Sequence, residues 1–333
     1  MTTPMTDNLA ISRITRIQQI LEQCRRPLVV SHIDPDGDAI GTQLAFGSYL
    51  QAIGKSVNML RESDVPAKYL FLPGVEQIAV AGGIDQTVSY DVAVVLECPS
   101  LNRLGTVARF IGEATKVINI DHHPENELQA DVSWVDVKAS SVGEMAYDYF
   151  RQVGFEIEAD MATNLYAAIL TDTGRFRFES TTPHTLAVAG DLVRAGADPR
   201  MICDRVYYDV DPAVMKLTGR LLSALEYYGD GRICIMPLTR QMLVETGASI
   251  ANTEGLVDYA MYTRGVQAGA LLRELENGHT KVSLRSRNSF DIAAIAGLFG
   301  GGGHPNAAGC TVKLPLELAK REIVRLLLEA HDA

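Results

Sequence analysis

The stretch VVSHIDPDGDAIG, residues Val29 to Gly41, decides how this sequence is interpreted. Between His32 and Asp38 it holds one histidine and three acidic residues, directly after a short apolar run. Carboxylates this close repel one another, and each charged neighbour raises the cost of ionising the next. The crowding therefore indicates that a positively charged partner lies among them.

The composition is that of a folded protein with two domains of ordinary size. The chain has 333 residues, of which 47% are hydrophobic and 21% are charged, and these values argue against a disordered or fibrous protein. No apolar run approaches the roughly 18 residues of a membrane span, and the N-terminus lacks a charged-then-apolar signal pattern. We therefore expect a cytoplasmic protein with no membrane partner.

Charge and cysteine content narrow the classes of function. The 30 Lys and Arg residues against 41 Asp and Glu residues give a net charge of -11, which opposes binding of long DNA or RNA along an extended surface. A small anionic ligand held by a few local cations is compatible with this charge. The five cysteines are scattered without a CxxC pair, so we expect neither a disulfide framework nor a structural zinc site.

Apolar runs alternate with segments of helical period along the first half of the chain. We predict strands at PLVVSH, DVAVVLE and KVINID, and helices at AIGTQLAFGSYLQAIG, LGTVARFIGEATK, SSVGEMAYDYFRQVG and DMATNLYAAILTD. These strands are apolar throughout, as in parallel sheets that helices cover on both faces. The pattern predicts an α/β fold with a doubly wound, mostly parallel sheet.

The second half of the chain predicts a helical connector followed by a smaller α/β domain. The connector has a helical pattern in HTLAVAGDLVRAG and AVMKLTGRLLSALEYY. After it, strands are predicted at RICIMPL, GVQAGALLREL and TKVSLRSR, and helices at SFDIAAIAGLFG and LPLELAKREIVRLLLEA. We therefore expect a first domain over residues 1–182, a helical connector over 183–228 and a second domain over 229–333.

Acidic and histidine side chains lie at the ends of four predicted segments, three of which are strands. Open parallel sheets bind their ligands at the carboxyl ends of the strands. These side chains are His32, Asp34 and Asp36; Glu97; Asp121, His122 and His123; and Asp172, which ends a helix. Carboxylates with a minority of imidazoles suit manganese, magnesium or iron better than thiolate-loving ions. The set is large enough for two ions about 3.5–4 Å apart, which together can activate a water and stabilise charge on a phosphoryl group.

Each of these segments also has an ordinary structural explanation. DPDGD is a favourable turn sequence, adjacent histidines are often satisfied polar groups or helix caps, and Asp172 can simply end its helix. The coincidence of all four segments at one edge is much harder to explain in this way. The combined pattern therefore favours a metal site.

Four motifs, HIDPDGDAIG, IDHH, LTDTGRF and GGGGHPNAAG, resemble those of the DHH/DHHA1 phosphoesterases. They follow the family's order, and the resemblance covers nearly the whole chain. The sequence is similar in particular to the branch of that family that degrades short oligoribonucleotides and dephosphorylates 3′-phosphoadenosine-5′-phosphate (pAp). The resemblance implies a DHH catalytic domain, a DHHA1 substrate-binding domain and two manganese ions, with magnesium or another divalent ion as an alternative.

The resemblance also implies which residues bind the metal. His32 and Asp34 would bind one manganese ion, Asp36 and His122 the second, with Glu97 bridging the ions and Asp172 completing the cluster.

Two further residues would act beside the metal ligands. His123 would face the scissile phosphate, and Asp121 would orient the imidazoles, because metal-bound histidines usually need such an acceptor. Glu97 departs from the family pattern, which has aspartate at this position. The alternative for Glu97 is a structural ion pair with Arg103.

The C-terminal domain is expected to bind the nucleotide end of the substrate, as the resemblance implies. The run Gly300–Gly303 exposes backbone N–H groups that a phosphate can approach closely, although a flexible loop is the ordinary explanation. SLRSR offers planar arginine donors suited to phosphate. The residues expected to bind substrate are Arg285, Arg287, Gly301, Gly302, Gly303 and His304, with Arg175 as a weaker candidate.

These observations predict a manganese-dependent hydrolase that releases 5′-mononucleotides from short RNA, or phosphate from pAp. Its partner would be a short RNA or a nucleotide; long DNA is not expected, and a homodimer would be unsurprising. Two alternatives stay open. One is an inorganic pyrophosphatase or polyphosphatase on the same fold, and the other is a nucleotide-binding module with an impaired metal site.

Overall fold

The structure is a computed structural model that describes residues 8–253, 255–287 and 290–332, without the side chains of residues 8, 251, 252, 304, 331 and 332. The chain divides into two compact units, the first ending at Asp209 and the second beginning at Val210. This division falls inside the expected connector 183–228, so the helices of that segment belong partly to each unit. The expected boundaries at residues 182 and 229 stay predictions.

The first unit is built on a six-stranded parallel sheet with the strand order β3-β2-β1-β4-β5-β6. The strands are β1 (Pro27–Val30), β2 (Asn58–Arg61), β3 (Ile78–Val80), β4 (Val92–Leu96), β5 (Lys116–Asp121) and β6 (Val132–Val135). Strands β1 and β4 are buried at every position, which explains their uninterrupted apolar sequence. The α/β class and the parallel sheet predicted from the sequence are confirmed.

Helices cover one face of this sheet and shorter segments cover the other. The helices are α1 (Asn8–Gln23), α2 (Gly37–Ala52), α3 (Val142–Gln152), α4 (Ala159–Asp172), α5 (Pro183–Arg194) and α6 (Pro199–Cys203), the last continued by a π-helical turn over Asp204–Tyr208. Side chains of α1 to α4 form the larger core. The smaller core lies against 3₁₀ segments, among them Leu101–Phe110.

The segment LGTVARF was expected to be an α-helix, and the structure corrects this expectation. It is a 3₁₀ run that breaks at Gly105, where φ is 59° and ψ is -139°. A Cβ at Gly105 would also lie 2.9 Å from both Glu62 Cγ and Ile33 Cγ2. The tight approach to these neighbours and the positive φ together exclude a regular helix.

Helix α4 packs against α2 through glycine positions. A Cβ added at Gly41 would lie 2.3 Å from the Asn164 carbonyl oxygen, and one added at Gly37 would lie 2.4 Å from Thr171 Oγ1. Both distances are far below van der Waals contact, so these positions have no room for a side chain. The glycines therefore allow the C-terminal end of α4, which carries Asp172, to approach the start of α2.

The second unit contains a six-stranded mixed sheet with the order β11-β12-β10-β9-β8-β7, in which β8 and β9 are parallel and the other neighbours antiparallel. Its strands are β7 (Glu226–Tyr228), β8 (Ile233–Leu238), β9 (Ala268–Glu274), β10 (Thr280–Ser286), β11 (Gly302–His304) and β12 (Ala307–Val312). Its helices are α7 (Pro212–Ser223), α8 (Arg240–Thr246), α9 (Ala293–Gly297) and α10 (Leu316–Asp332), with 3₁₀ segments at Ile250–Thr253 and Leu256–Tyr262.

We predict that a Gly41→Ala substitution destabilises the first unit. The added methyl group must displace the Asn164 backbone, and overpacking of this kind costs about 1–3 kcal/mol in the free energy of unfolding. Gly190→Ala is the matched control, since nothing lies within 4 Å of its added Cβ. There the change should be neutral or should stabilise α5 by about 0.5–1 kcal/mol. Urea unfolding of both variants would measure this, and equal stability of Gly41→Ala and the wild type would contradict it.

Candidate metal centre

The site lies at the carboxyl ends of three neighbouring strands. The sheet order reverses between β1 and β4, which is the position where doubly wound sheets bind their ligands. His32 follows β1, Glu97 follows β4, and Asp121 ends β5. Parallel pairing of β1 with β4 and of β4 with β5 brings these three ends together. The site is therefore a consequence of the sheet topology.

His32 presents one defined ring nitrogen to the acidic residues. Its Nδ1 lies 2.6 Å from the Ile33 carbonyl oxygen, which can only accept, so Nδ1 carries the proton and donates it. Its Nε2 lies 3.7 Å from Glu97 Oε2. Burial, reinforced by the nearby Arg103, holds the pKa of His32 below its ordinary value against the opposite effect of Asp36. The neutral imidazole thus directs an Nε2 lone pair toward the carboxylates.

His122 has the same arrangement from another segment. Its Nδ1 lies 3.2 Å from the Ala139 carbonyl oxygen and donates to it, and its Nε2 lies 3.4 Å from Asp172 Oδ2. Only 6% of its surface is exposed. Donation from Nδ1 to a carbonyl is the usual arrangement of a histidine whose Nε2 binds a metal.

His123 is bonded to a carboxylate instead of a carbonyl. Its Nδ1 lies 2.7 Å from Asp121 Oδ1, and Asp121 also accepts from the backbone N–H groups of His122 and His123. Burial alone would raise the pKa of Asp121, but the hydrogen bond and charge of His123 outweigh it and lower that pKa. Asp121 is therefore an ionised acceptor for the ring of His123, whereas the Nδ1 atoms of His32 and His122, the imidazoles it was expected to orient, lie on carbonyl oxygens.

Asp36 and Asp38 are held at the start of α2. Asp36 caps the helix, because its Oδ1 accepts from the N–H groups of Asp38 and Ala39 at 3.1 Å each. Although burial opposes it, His32 and the hydrogen bond from the Ala39 N–H lower the pKa of Asp36. Asp38 is fully buried and accepts from Val142 N at 2.6 Å and Gly143 N at 2.8 Å. Burial, with Asp36 beside it, raises the pKa of Asp38 to about 6.

Glu97 and Asp172 are the acidic groups of the site whose ionisation their surroundings disfavour most. Glu97 has a φ of 52° and is 2% exposed; among the described residues its Oε2 has no hydrogen-bond partner. Burial and then the carboxylates of Asp36 and Asp38 raise the pKa of Glu97 well above its ordinary value. Burial and the same two carboxylates raise the pKa of Asp172. Both groups resist ionisation in the absence of a nearby cation.

The structure brings these side chains into three overlapping groups whose ligand atoms lie within 4.8 Å of one another. The groups are His32, Asp36 and Glu97; Asp38, His122 and Asp172; and Glu97, His122 and His123. Glu97 and His122 each belong to two groups. Carboxylate oxygens and imidazole nitrogens are a donor set suited to a divalent cation such as manganese or magnesium. The residues present therefore fit the metal that the sequence predicts.

The grouping of side chains in the structure differs from the ligand pairing expected from the sequence. Asp36 lies with His32, and Asp38, which was not expected to bind metal, lies with His122. Asp34 is exposed, has a φ of 53° and accepts a hydrogen bond from Ser63 Oγ at 3.1 Å. The physical reason is that the first turn of α2 directs Asp38 inward, whereas Asp34 precedes the helix in a left-handed turn.

The substrate-binding arginines expected in the second unit have protein partners in the structure. Arg285 Nε donates to Asp258 Oδ1 at 3.0 Å, and Arg287 donates to the Met261 carbonyl oxygen. Arg175, in the first unit, has a φ of 66°, and its guanidinium lies 4.8 Å from the centre of the Tyr207 ring. None of these contacts excludes a second contact to a phosphate, since a guanidinium offers five donors.

The glycine run has a structural function that was not expected. Gly302 and Gly303 belong to β11 and pair with Gly309 and Ala308 of β12. A Cβ at Gly303 would lie 2.4 Å from the Ala307 carbonyl oxygen, and one at Gly301 would lie 2.1 Å from that of Gly309. Close approach of two strands thus explains why glycine occupies these positions. His304 ends β11, and its side chain lies outside the described part of the chain.

The comparisons with known proteins agree with this fold. Residues 26–169 match the model of the DHH family, N-terminal domain, and residues 237–330 match that of the DHHA1 domain. The chain therefore belongs to the DHH family of phosphoesterases with a DHHA1 domain.

Its relatives include a bifunctional oligoribonuclease and PAP phosphatase NrnA from Thermus thermophilus, 32% identical over 94% of this chain and 93% of that protein. The protein of the same name from Bacillus subtilis is 27% identical over 84% of this chain and 87% of its own length. Among solved structures, an exopolyphosphatase-related protein from Bacteroides fragilis matches with a TM-score of 0.92 and 26% identity, covering 98% of each chain.

Within the described ranges, none of the helices is both long enough and apolar enough to cross a membrane.

We predict that the metal-free protein loses stability through Asp38 as the pH rises. The pKa of Asp38 increases from 3.8 to about 6 on folding, so its proton favours the folded state only at low pH. The free energy of unfolding of the wild type minus that of Asp38→Asn should therefore fall by about 1–3 kcal/mol between about pH 4 and pH 8.

Urea unfolding in a chelator at several pH values would measure this difference. Glu113→Gln, which changes an exposed carboxylate, is the control and should give a difference that does not vary with pH. A constant difference for Asp38→Asn as well would show that the carboxyl group is not destabilised by its surroundings.

Proposed function

We propose that this chain is a manganese-dependent phosphoesterase that hydrolyses short oligoribonucleotides to 5′-mononucleotides and removes phosphate from pAp. The observation that carries the proposal is the group of carboxylates and imidazoles at the reversal point of the sheet. Relatives named for these two activities match over most of the chain at 27–32% identity. The net charge of -11 favours a short substrate over a long nucleic acid.

Two divalent ions would be held by six residues of the first unit. His32 and Asp36 would hold one ion, Asp38, His122 and Asp172 the other, and Glu97 would contact both because it lies near His32 and near His122. When bound, the ions would lower the pKa of a water and neutralise charge that develops on the phosphoryl group. We propose Asp38 in place of Asp34, since only Asp38 lies within reach of other ligands among the described residues.

His123 is the residue that we propose to contact the scissile phosphate. Its ring is 5.0 Å from that of His122, measured between centroids, so it stands beside the metal ligands. Donation from Nδ1 to an ionised carboxylate fixes the tautomer and the orientation of the ring. In the neutral ring held in this way Nε2 is an acceptor; once Nε2 is also protonated, it can bind a phosphoryl oxygen and donate that proton to the leaving group.

The DHHA1 unit would bind the nucleotide part of the substrate. Arg285 lies on β10, and Arg287 follows that strand directly. In the sheet, β10 pairs with β12. Strand β12 also pairs with β11, which contains Gly302 and Gly303. Backbone and arginine donors on adjacent strands are a suitable surface for a phosphate or a base edge. His304 ends β11, and we propose that it also contacts the substrate.

The two alternative functions make different demands on the site. A polyphosphatase is favoured by the name of the Bacteroides fragilis relative, and it would need no base or ribose contact. A binding module with an impaired metal site is disfavoured, since both ligand groups contain carboxylates and an imidazole. Measuring phosphate and mononucleotide release from a dinucleotide, pAp, pyrophosphate and polyphosphate, each with manganese and with magnesium, would separate all three functions.

We predict that Glu97→Gln weakens metal binding and lowers turnover by more than about 100-fold, because it removes the charge shared by the two groups without changing the size of the side chain. Metal content after dialysis and turnover of a dinucleotide would be measured together. Glu144→Gln is the matched control, a buried carboxylate bonded to Ser140 Oγ at 2.7 Å and outside the groups.

The same measurement separates the two ligand assignments. Asp38→Asn should lose manganese, whereas Asp34→Asn should keep it; the opposite result would restore the pairing expected from the sequence. Full metal content and normal turnover of Glu97→Gln would show that Glu97 is structural.

We predict that Arg285→Ala raises KM for a dinucleotide by about tenfold or more, the loss expected for one charge-assisted contact. Hydrolysis of bis-p-nitrophenyl phosphate, which has no nucleotide to bind, should be spared. Asp258→Asn is the control, because it breaks the ion pair of Arg285 but leaves the guanidinium in place. Equal losses in both variants, or on both substrates, would assign Arg285 a structural role.

A further inference from the structure

A chain of hydrogen bonds leads from the interior of the first unit to His123. Asn119 Nδ2 donates to Asn126 Oδ1 at 2.8 Å, and Asn126 Nδ2 donates to Asp121 Oδ2 at 2.6 Å. Asp121 Oδ1 in turn accepts from His123 Nδ1 at 2.7 Å. Asn119 and Asp121 are fully buried on β5, two residues apart and so on the same face. The two asparagines have no role in the function proposed above.

The orientation of the Asn126 amide follows from its surroundings. Its Oδ1 also accepts from the backbone N–H of Leu128 at 3.1 Å, and a backbone N–H can only donate. The oxygen must therefore face Leu128, which leaves Nδ2 toward Asp121 Oδ2. The contact between Asn126 and Asp121 is thus a hydrogen bond from an amide to a carboxylate.

Asn126 fixes the carboxylate that holds His123. The Oδ1 atom of Asp121 accepts three donors, from His122 N, His123 N and His123 Nδ1. The Oδ2 atom accepts from Asn126. Because the two oxygens belong to one rigid plane, a donor on Oδ2 limits rotation of the group and keeps Oδ1 aligned with the imidazole.

We propose that Asn126, supported by Asn119, is a positioning residue for the reaction: it holds Asp121 so that His123 keeps Nδ1 protonated and Nε2 directed to the substrate. This inference rests on the role proposed for His123. Without the amide, Asp121 Oδ2 would be a buried carboxylate oxygen without its donor, an arrangement that favours rotation of the carboxylate. The His123 ring would then lose its fixed tautomer and orientation, while the metal ligands would keep theirs.

A purely structural role of Asn126 is the competing explanation, since its Oδ1 also ties the loop after β5 to Leu128. The two explanations differ in what Asn126→Leu changes. A structural residue would affect only stability. A positioning residue would also change the magnetic environment and tautomer of His123, and would lower kcat more than it changes KM.

The test is ¹⁵N-histidine NMR of the full-length chain with magnesium, which is diamagnetic, combined with steady-state kinetics on a dinucleotide with manganese. We expect a single Nδ1-protonated tautomer of His123 in the wild type, assigned with His123→Ala, and tautomer averaging in Asn126→Leu. We expect kcat of Asn126→Leu to fall about 10–100-fold with KM within about threefold and metal content unchanged. Asn126→Gln, which keeps an amide donor, should recover part of the loss.

Asn164→Leu is the matched control, because its amide donates to the Pro73 carbonyl oxygen and lies outside this chain of bonds. It should lower thermal stability but leave the His123 signal unchanged. If Asn126→Leu does not fold, Asn126→Ala takes its place, since it removes the donor without adding a charge beside Asp121.

An unchanged His123 tautomer with kcat within about threefold of the wild type would overturn the inference. The NMR measurement needs no substrate. Failure of the wild type to hydrolyse the dinucleotide or pAp would therefore refute the proposed function, while the His123 signals would still decide the role of Asn126.

Discussion

The structure of the first unit is organised around carboxylates that repel one another inside a protein. Asp36, Asp38, Glu97 and Asp172 converge at one edge of the sheet; burial disfavours the charged form of all four, and the pKa values of Asp38, Glu97 and Asp172 are raised. No hydrophobic gain comes from placing them there. The arrangement is stable in its ionised form only with cations among the oxygens, so the site and its metal have to be considered together.

The backbone holds these groups together against their repulsion. The sheet fixes Glu97 and Asp121 through parallel pairing of buried strands, and the apolar cores on both faces fix the sheet. Asp172 is brought in by α4, whose approach to α2 requires glycine at residue 41. Asp38 is tied to the start of α3 by two backbone N–H groups. Ordinary packing and helix capping thus supply the free energy that the site alone lacks.

The buried part of the fold could be predicted from the sequence, and the edges could not. β1, β4 and β5 are uninterrupted apolar runs, whereas β3 has three residues and β11 consists of two glycines and a histidine, so neither carries a strand pattern. The strand ends gave His32, Glu97 and His122 correctly as neighbours, although their roles stay proposals. The position of Asp38 beside His122 and Asp172 was not predicted, because the direction of a side chain in a first helical turn depends on where that helix begins.

The three histidines differ in what their Nδ1 atoms contact, and this difference separates their chemistry. His32 and His122 donate to neutral backbone carbonyls, which fix the ring without adding charge. His123 donates instead to the ionised carboxylate of Asp121. A metal ligand must keep Nε2 unprotonated, whereas a residue that donates a proton to a phosphoryl group must be able to carry charge. The hydrogen-bond partners thus set His123 apart from the other two imidazoles, in line with the roles proposed for them: His32 and His122 at the metal, and His123 at the substrate.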